Sequence, residues 1–234
     1  MRSLRRLALL VGSFAVIAVV VAPKGADAQA PAPAPTPPPS CEWEIEYSLA
    51  ANLKLSDTPM GEGDGIYPIG PGKVVLRWQN QNGQPGGAVK MVEYKMREYF
   101  TIKSKTLFWT TTVVTDTNTA ATPNTCSVAA EGALDGARNL RWRTPVRGYR
   151  TDGTLSCEGS LCGKFGAPPP GQSPLHIGPN PVMFSPFVFS PDMKTFTMAT
   201  THVSKTDMPK QTGEIALSGR EVRRACVPVA VCNK

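Results

Sequence analysis

Between Arg138 and Arg150 the sequence reads RNLRWRTPVRGYR. Five arginines (Arg138, Arg141, Arg143, Arg147 and Arg150) interleave with Trp142 and Tyr149. A guanidinium is a planar fork of donors that fits a carboxylate, sulfate or phosphate, and an aromatic face can stack on a sugar or a base. The stretch therefore suggests binding of an acidic polymer of the cell envelope. The simpler account is an ordinary amphipathic strand. Arg141 and Arg143 would share its wet face, and Leu140 and Trp142 its dry one.

Other residues capable of chemistry are sparser. Glu42, Glu44 and Glu46 fall on one face of a strand, about 7 Å apart at a rise of ~3.3 Å per residue. Paired carboxylates can drive glycoside hydrolysis, but a solvated face explains this row more simply. Gly61-Glu62-Gly63-Asp64-Gly65, with Asp57 before it, offers oxygen ligands of the kind calcium takes. Its spacing matches neither an EF-hand nor a Gly-Asp repeat, so no metal is assigned. Glu158 stands where a nucleophile elbow around Ser160 would need glycine. No metalloprotease helix, phosphate loop or dinucleotide fingerprint occurs. His176 and His202 have no recognisable nucleophile near them in sequence. No catalytic residue and no cofactor are assigned.

Cys41, Cys126, Cys157, Cys162, Cys226 and Cys232 make an even set. Their C-x4-C and C-x5-C spacings, with only two histidines in the chain, favour three disulfides over a zinc site. Six cysteines allow 15 connectivities. A local Cys157–Cys162 clip is expected, with Cys41 joined to Cys226 or Cys232 to tie the two ends of the domain.

The elements that must position these groups are strands. Trp43, Ile45, Tyr47 and Leu49 alternate with Glu42, Glu44, Glu46 and Ser48, the period of a half-buried strand. Val89 to Asp116 reads as two long strands joined at Lys103-Ser104-Lys105. Val92, Tyr94, Met96, Phe100 and Ile102 face one way, and Glu93, Lys95, Arg97 and Lys103 the other. A helical spacing through Val89, Val92, Met96 and Tyr99 competes. The strand reading is preferred because the run continues into Phe100-Thr101-Ile102. Asn82-Gly83 marks a hairpin turn. Loops are expected over Asp57–Gly72, Thr117–Thr125, Gly148–Gly163 and the proline-rich Lys164–Pro181. Strands are expected over Lys73–Gln79, Cys126–Ala130, Asn139–Val146, Val182–Phe189, Lys194–Ser204 and Gly213–Val222. About nine strands fit one all-β antiparallel sandwich or barrel-like domain over 41–234, stabilised by disulfides.

Before that domain, residues 1–28 resemble a secretory signal. They comprise a basic start (Arg2, Arg5, Arg6), an apolar run Leu7–Ala22 and a small-x-small site at Ala26-Asp27-Ala28. Residues 29–40 are a proline-rich linker suited to polyproline II. The whole chain carries +7 from 25 Lys+Arg and 18 Asp+Glu. Residues 1–28 hold four bases (Arg2, Arg5, Arg6, Lys24) and one acid (Asp27), which leaves 21 against 17, a net +4. That excess favours weak attraction to anionic surfaces and is too small for a dedicated nucleic-acid binder. The sequence thus predicts an exported periplasmic, cell-surface or secreted domain, without a transmembrane span once the signal is removed. Its role would be non-catalytic binding or structure, with an acidic envelope polymer or a protein as partner. The alternative is a hydrolase of envelope polysaccharide or peptide.

Overall fold

The computed structural model describes residues 41–56, 64–105, 110–121, 128–164, 167–203 and 212–229. The expected signal and linker lie outside the described residues. So do Cys126, Cys232, Asp57, Gly61, Glu62 and Gly63.

All regular structure among the described residues is strand. In chain order these are β1 (Cys41–Ser56), β2 (Gly65–Gln81), β3 (Gln84–Lys105), β4 (Thr110–Ala121), β5 (Ala130–Leu134), β6 (Asn139–Trp142), β7 (Val146–Gly159), β8 (Gly171–Val182), β9 (Phe187–Phe189), β10 (Thr195–Val203) and β11 (Thr212–Pro228). Among the described residues eleven strands stand where about nine were expected. Eight of them close a barrel in the order β2-β1-β11-β10-β9-β6-β5-β3, sealed by β2 pairing with β3. The second half of β3 leaves the barrel. There it pairs with β4, and β7 and β8 follow as an appended antiparallel sheet.

The local signals that build the barrel are short-range. The β2–β3 hairpin turns at Asn82 (φ 53) and Gly83 (φ 83), both in the left-handed region, with Gln81 opposite Gln84. Such a two-residue turn matches the right-handed twist of its strands, and Asn-Gly accepts it with little strain. The Asn80 side-chain oxygen accepts a hydrogen bond from Gly83 N–H at 2.9 Å. Along β3, Leu76 pairs with Met91 and Val75 with Glu93, so Val92 is an extra residue in the ladder. This bulge shifts the inward phase by one residue. Val89 and Met91 are buried before it, and Tyr94 and Met96 after it, while Val92 is only half-buried. The single unbroken dry face read from the sequence is corrected accordingly.

Several loop boundaries also move. β2 begins at Gly65, inside the expected loop. Lys103–Lys105 still belong to β3, with Lys105 opposite Thr110. Thr117–Ala121 belong to β4, and the segment around Gly148 is β7. β6 ends at Trp142, four residues short of the expected strand. From Gly171 on, the proline-rich run becomes β8, whose only partner among the described residues is β7. Proline lacks the N–H that a central ladder needs, but an edge strand leaves one side unpaired. Pro174, Pro179 and Pro181 are therefore compatible with strand geometry at this position.

The barrel interior is filled. Trp78, Tyr47, Phe187, Phe196, Ile45, Leu76 and Met91 are almost completely buried. Phe187 and Phe196 stack at 4.5 Å, Tyr47 meets Phe196 edge-on at 5.3 Å, and Trp78 meets Phe189 edge-on at 5.3 Å. The Tyr47 hydroxyl donates to the Met193 carbonyl at 2.9 Å, which satisfies a polar group that burial would otherwise penalise. Gly219 lies across from Phe196, and a Cβ there would sit 2.1 Å from the Phe196 ring. Only glycine leaves room for that ring.

Across β11, β1, β2 and β3 the outer wall carries ion pairs. Lys90 pairs with Glu42 (2.7 Å), Arg77 and Arg223 with Glu44 (2.9 and 2.8 Å), and Lys73 and Lys95 with Glu93 (2.8 and 2.7 Å). This part of the wall is charged outside and apolar inside, the reverse of a lipid-facing barrel.

Two disulfides join described residues, Cys41–Cys226 and Cys157–Cys162. The first ties β1 to its neighbour β11. The second closes the turn after β7.

Candidate functional site

The arginine stretch spans two parts of the fold. Arg138 ends the β5–β6 turn with φ 62, and Arg141 lies on β6. Arg143 follows β6, and Arg147 and Arg150 belong to β7. The turn is held by one carboxylate. Asp135 accepts from the N–H groups of Ala137 and Asn139 (both 2.9 Å), from Asn139 Nδ2 (3.2 Å) and from Arg141 Nε (3.1 Å). Its pKa is pulled down to about 2, foremost by the Asn139 N–H, with Asn139 Nδ2, Arg141 and the Ala137 N–H adding. The other end of the hairpin is fixed by Glu131, whose carbonyl accepts from Arg143 N–H (2.7 Å) and whose N–H donates to Thr144 Oγ1 (2.9 Å). The backbone bearing Arg138 to Arg143 is thus pinned at both ends.

The five arginines differ in what they touch. Arg141 pairs with Asp135 and Arg150 with Asp152 (3.4 Å). Arg138, Arg143 and Arg147 are exposed and make no ion pair among the described residues. From 128 to 150 there are five arginines against Glu131 and Asp135, a local net of +3.

The two rings of this stretch face elsewhere. Trp142 is 9% exposed and meets Phe187 edge-on at 5.3 Å inside the barrel. Tyr149 packs on Tyr94 at 6.0 Å and on Phe184 at 5.9 Å, and burial raises its pKa to about 12. The outward part of the stretch is therefore arginine, without an accompanying aromatic platform.

The carboxylate row of β1 is occupied. Glu42 and Glu44 hold the ion pairs given above, and Glu46 approaches Arg223 at 3.9 Å. His176 Nδ1 lies 3.0 Å from an Asp152 oxygen on the exposed surface. The side chain of His202 lies outside the described residues. Ser160 is exposed in the turn closed by the Cys157–Cys162 bridge. Among the described residues, no three His, Cys, Asp or Glu side chains gather as metal ligands, and no helix is long and apolar enough to cross a membrane.

Two features escaped the sequence. The first is a polar network on the inner face of the appended sheet. Thr119 Oγ1 donates to Glu98 (3.2 Å) and lies 2.8 Å from Thr151 Oγ1, and Thr117 Oγ1 is 3.4 Å from the other Glu98 oxygen. Glu98 makes no ion pair among the described residues, and desolvation raises its pKa despite the two hydroxyl donors. A raised carboxyl pKa means that the charged form opposes folding. That penalty is complete above the folded-state pKa and fades as pH falls through it towards the ordinary carboxylate range. Glu98→Gln is expected to melt at or above the wild-type temperature at pH 7, with the gap closing in acid. Melting curves across that range check the sign. A Gln variant that is less stable at neutral pH and equal in acid would reverse it.

The second feature is a shallow hollow of about 500 Å3 across the outside of β2, β1, β11 and β10, bordered by Val188 of β9. Small side chains, Ala50, Ala199, Ala216 and Ser218, are among those that line it. No sequence motif marks it, because its residues come from five separate strands.

Fold and surface together define a class: a disulfide-bonded, filled eight-stranded β-barrel with an appended sheet and three exposed arginines, Arg138, Arg143 and Arg147, that make no ion pair among the described residues. Set against protein-family models, curated proteins and solved structures, the chain matches none of them.

Proposed function

We propose that this chain is a non-catalytic binding module of an oxidising, extracytoplasmic compartment, and that Arg138, Arg143 and Arg147 take an acidic polymer of the envelope. The observation that carries the reading is the contrast in pairing. The cations of the β1–β2–β3–β11 wall are largely neutralised by carboxylates, whereas these three exposed guanidinia meet none among the described residues. An unpaired surface guanidinium keeps its donors free for carboxylate or phosphate and loses no internal ion pair on binding. The pinned hairpin holds the positions of Arg138 and Arg143, which limits the ordering cost of association. The two disulfides fit an oxidising compartment. The carboxylate row on β1 is committed to ion pairs, which leaves the hydrolase alternative without a free acid pair there.

Co-sedimentation of the oxidised protein with peptidoglycan, anionic lipid vesicles and acidic polysaccharide tests this at low and high salt. Binding to one polymer is expected to weaken with salt. Replacing Arg138, Arg143 and Arg147 together by glutamine is expected to weaken it by at least about tenfold, at ~0.5 kcal/mol or more per exposed charge. Unchanged binding of the triple variant would remove the arginine cluster from the account.

A further inference from the structure

β9 is three residues long. Its Val188 and Phe189 pair with Thr197 and Phe196 of β10, and the next residues in line are Phe187 and then Pro186. Proline brings no N–H to a ladder. Beyond Thr197, β10 continues to Val203 with β11 on one side and, among the described residues, no strand on the other. Alternate N–H and C=O groups of Met198–Val203 therefore point away from the sheet without a ladder partner among the described residues.

Natural sheets guard such edges with prolines or charges, and the other open edges here follow that rule. β8 carries Pro174, Pro179 and Pro181. The free side of β2 carries Pro68 and Pro71, that of β3 carries Arg97 and Lys103, and that of β11 beyond Arg220 carries Arg223 and Arg224. The β10 edge, Thr195 to Val203, has neither a proline nor an Asp, Glu, Lys or Arg. Its residues are threonine, alanine, methionine, phenylalanine, valine and one histidine, a composition suited to strand pairing. The 500 Å3 hollow lies against this same edge, lined there by Val188, Thr197, Met198 and Ala199.

We infer that the Met198–Val203 edge is a docking site for an extended segment of another protein, which adds a strand in line with β9. Ladder groups at strand spacing are complemented only by a second polypeptide backbone, so the occupant is a peptide and not a sugar or a lipid. An incoming strand would have alternate side chains on the hollow's side, where alanines leave space. The segment is uncharged over five or six residues, as the edge is. It belongs to a different, non-basic protein, because two copies of this chain, each net positive with or without residues 1–28 (+7 or +4), repel one another. The inference stands apart from the arginine cluster and survives its failure.

The test uses the oxidised full chain, labelled with 15N, and a capped hexapeptide alternating threonine and valine. Saturable amide shifts confined to Val188 and to 197–203 are expected. N-methylation of alternate peptide amides removes the ladder donors and is expected to weaken binding by at least about tenfold, since each tenfold is only ~1.4 kcal/mol. Ala199→Lys with Thr201→Lys places charges on two exposed edge positions and is expected to do the same with an unchanged unfolding midpoint. The inference is overturned by an absence of saturable shifts at millimolar peptide, by shifts elsewhere, or by equal binding of the N-methylated peptide. A wild-type dimer in sedimentation that the double lysine variant abolishes would overturn it as well, because the edge would then serve self-association.

Discussion

Trp78→Ala is expected to cost about 3–5 kcal/mol, the range for removing a fully buried large aromatic and leaving a cavity. Trp78 is 0% exposed. Its ring lies in the barrel core, edge-on to Phe189, which in turn lies 5.1 Å from Phe196. The hole cannot be filled from one side, because the neighbours of Trp78 are anchored on both adjoining strands. Trp43 of β1 and Val89 of β3 are its register partners. Trp78→Phe separates packing from hydrogen bonding. The indole Nε1–H of Trp78 has no hydrogen-bond partner among the described residues, so phenylalanine loses ring area alone and is expected to cost well under the alanine value. Guanidinium unfolding of the three oxidised proteins checks both. Equal costs for Phe and Ala would mean that the indole nitrogen contributes more than its surroundings indicate.

The second large effect is expected from the bridge between the ends of the domain. Cys41 and Cys226 are separated by 185 positions and Cys157 and Cys162 by 5. A cross-link stabilises chiefly by restricting the unfolded chain, and the restriction grows with the logarithm of loop length. Replacing both Cys41 and Cys226 by alanine is expected to cost about 5 kcal/mol, against about 2 kcal/mol for replacing Cys157 and Cys162. Topology points the same way. The first and last strands, β1 and β11, are neighbours in the barrel and pair along their whole lengths. Closing the ring requires the two ends of a long chain to meet, and the Cys41–Cys226 bridge keeps them together in the unfolded state. Denaturant midpoints of the two double variants give the comparison. A larger loss at the short clip would mean that native contacts around the β7 turn, rather than ring closure, set the stability.

Much of the barrel was legible in local pattern. The alternation of Trp43, Ile45, Tyr47 and Leu49 is the inward face of β1, with the last three buried. Asn82-Gly83 makes the turn it announces, and Cys157–Cys162 is the expected clip. Each of these signals lies within a few residues of its consequence. The misses share a different cause. The proline-rich run looked like a loop because proline removes donors, yet β8 sits where one row of donors is not needed. The phase of β3 changes at Val92, and a bulge depends on the partner strand and leaves no mark in its own sequence. Trp142 could be read as a ligand platform beside arginines or, with Leu140, as the dry face of an amphipathic strand; its burial, with Gly132 opposite it across β5 and β6, follows the second.

The candidate surfaces divide in the same way. The arginines were visible as residue types, but not which of them are neutralised, because Asp135 and Asp152 reach Arg141 and Arg150 only through a folded turn and a strand. The Glu98 network, the hollow and the β10 edge had no sequence signature, being assembled from strands far apart in the chain.

By itself the sequence determined an all-β, disulfide-bonded chain with alternating faces and its main turns, because period-two burial and turn chemistry are properties of a few consecutive residues. Only the tertiary structure decided that eight strands close into a filled barrel, which charges are left unpaired, and which edge stays open. Those outcomes depend on non-local pairing, where the position of a strand in the sheet, and not its own residues, sets what its backbone and side chains meet.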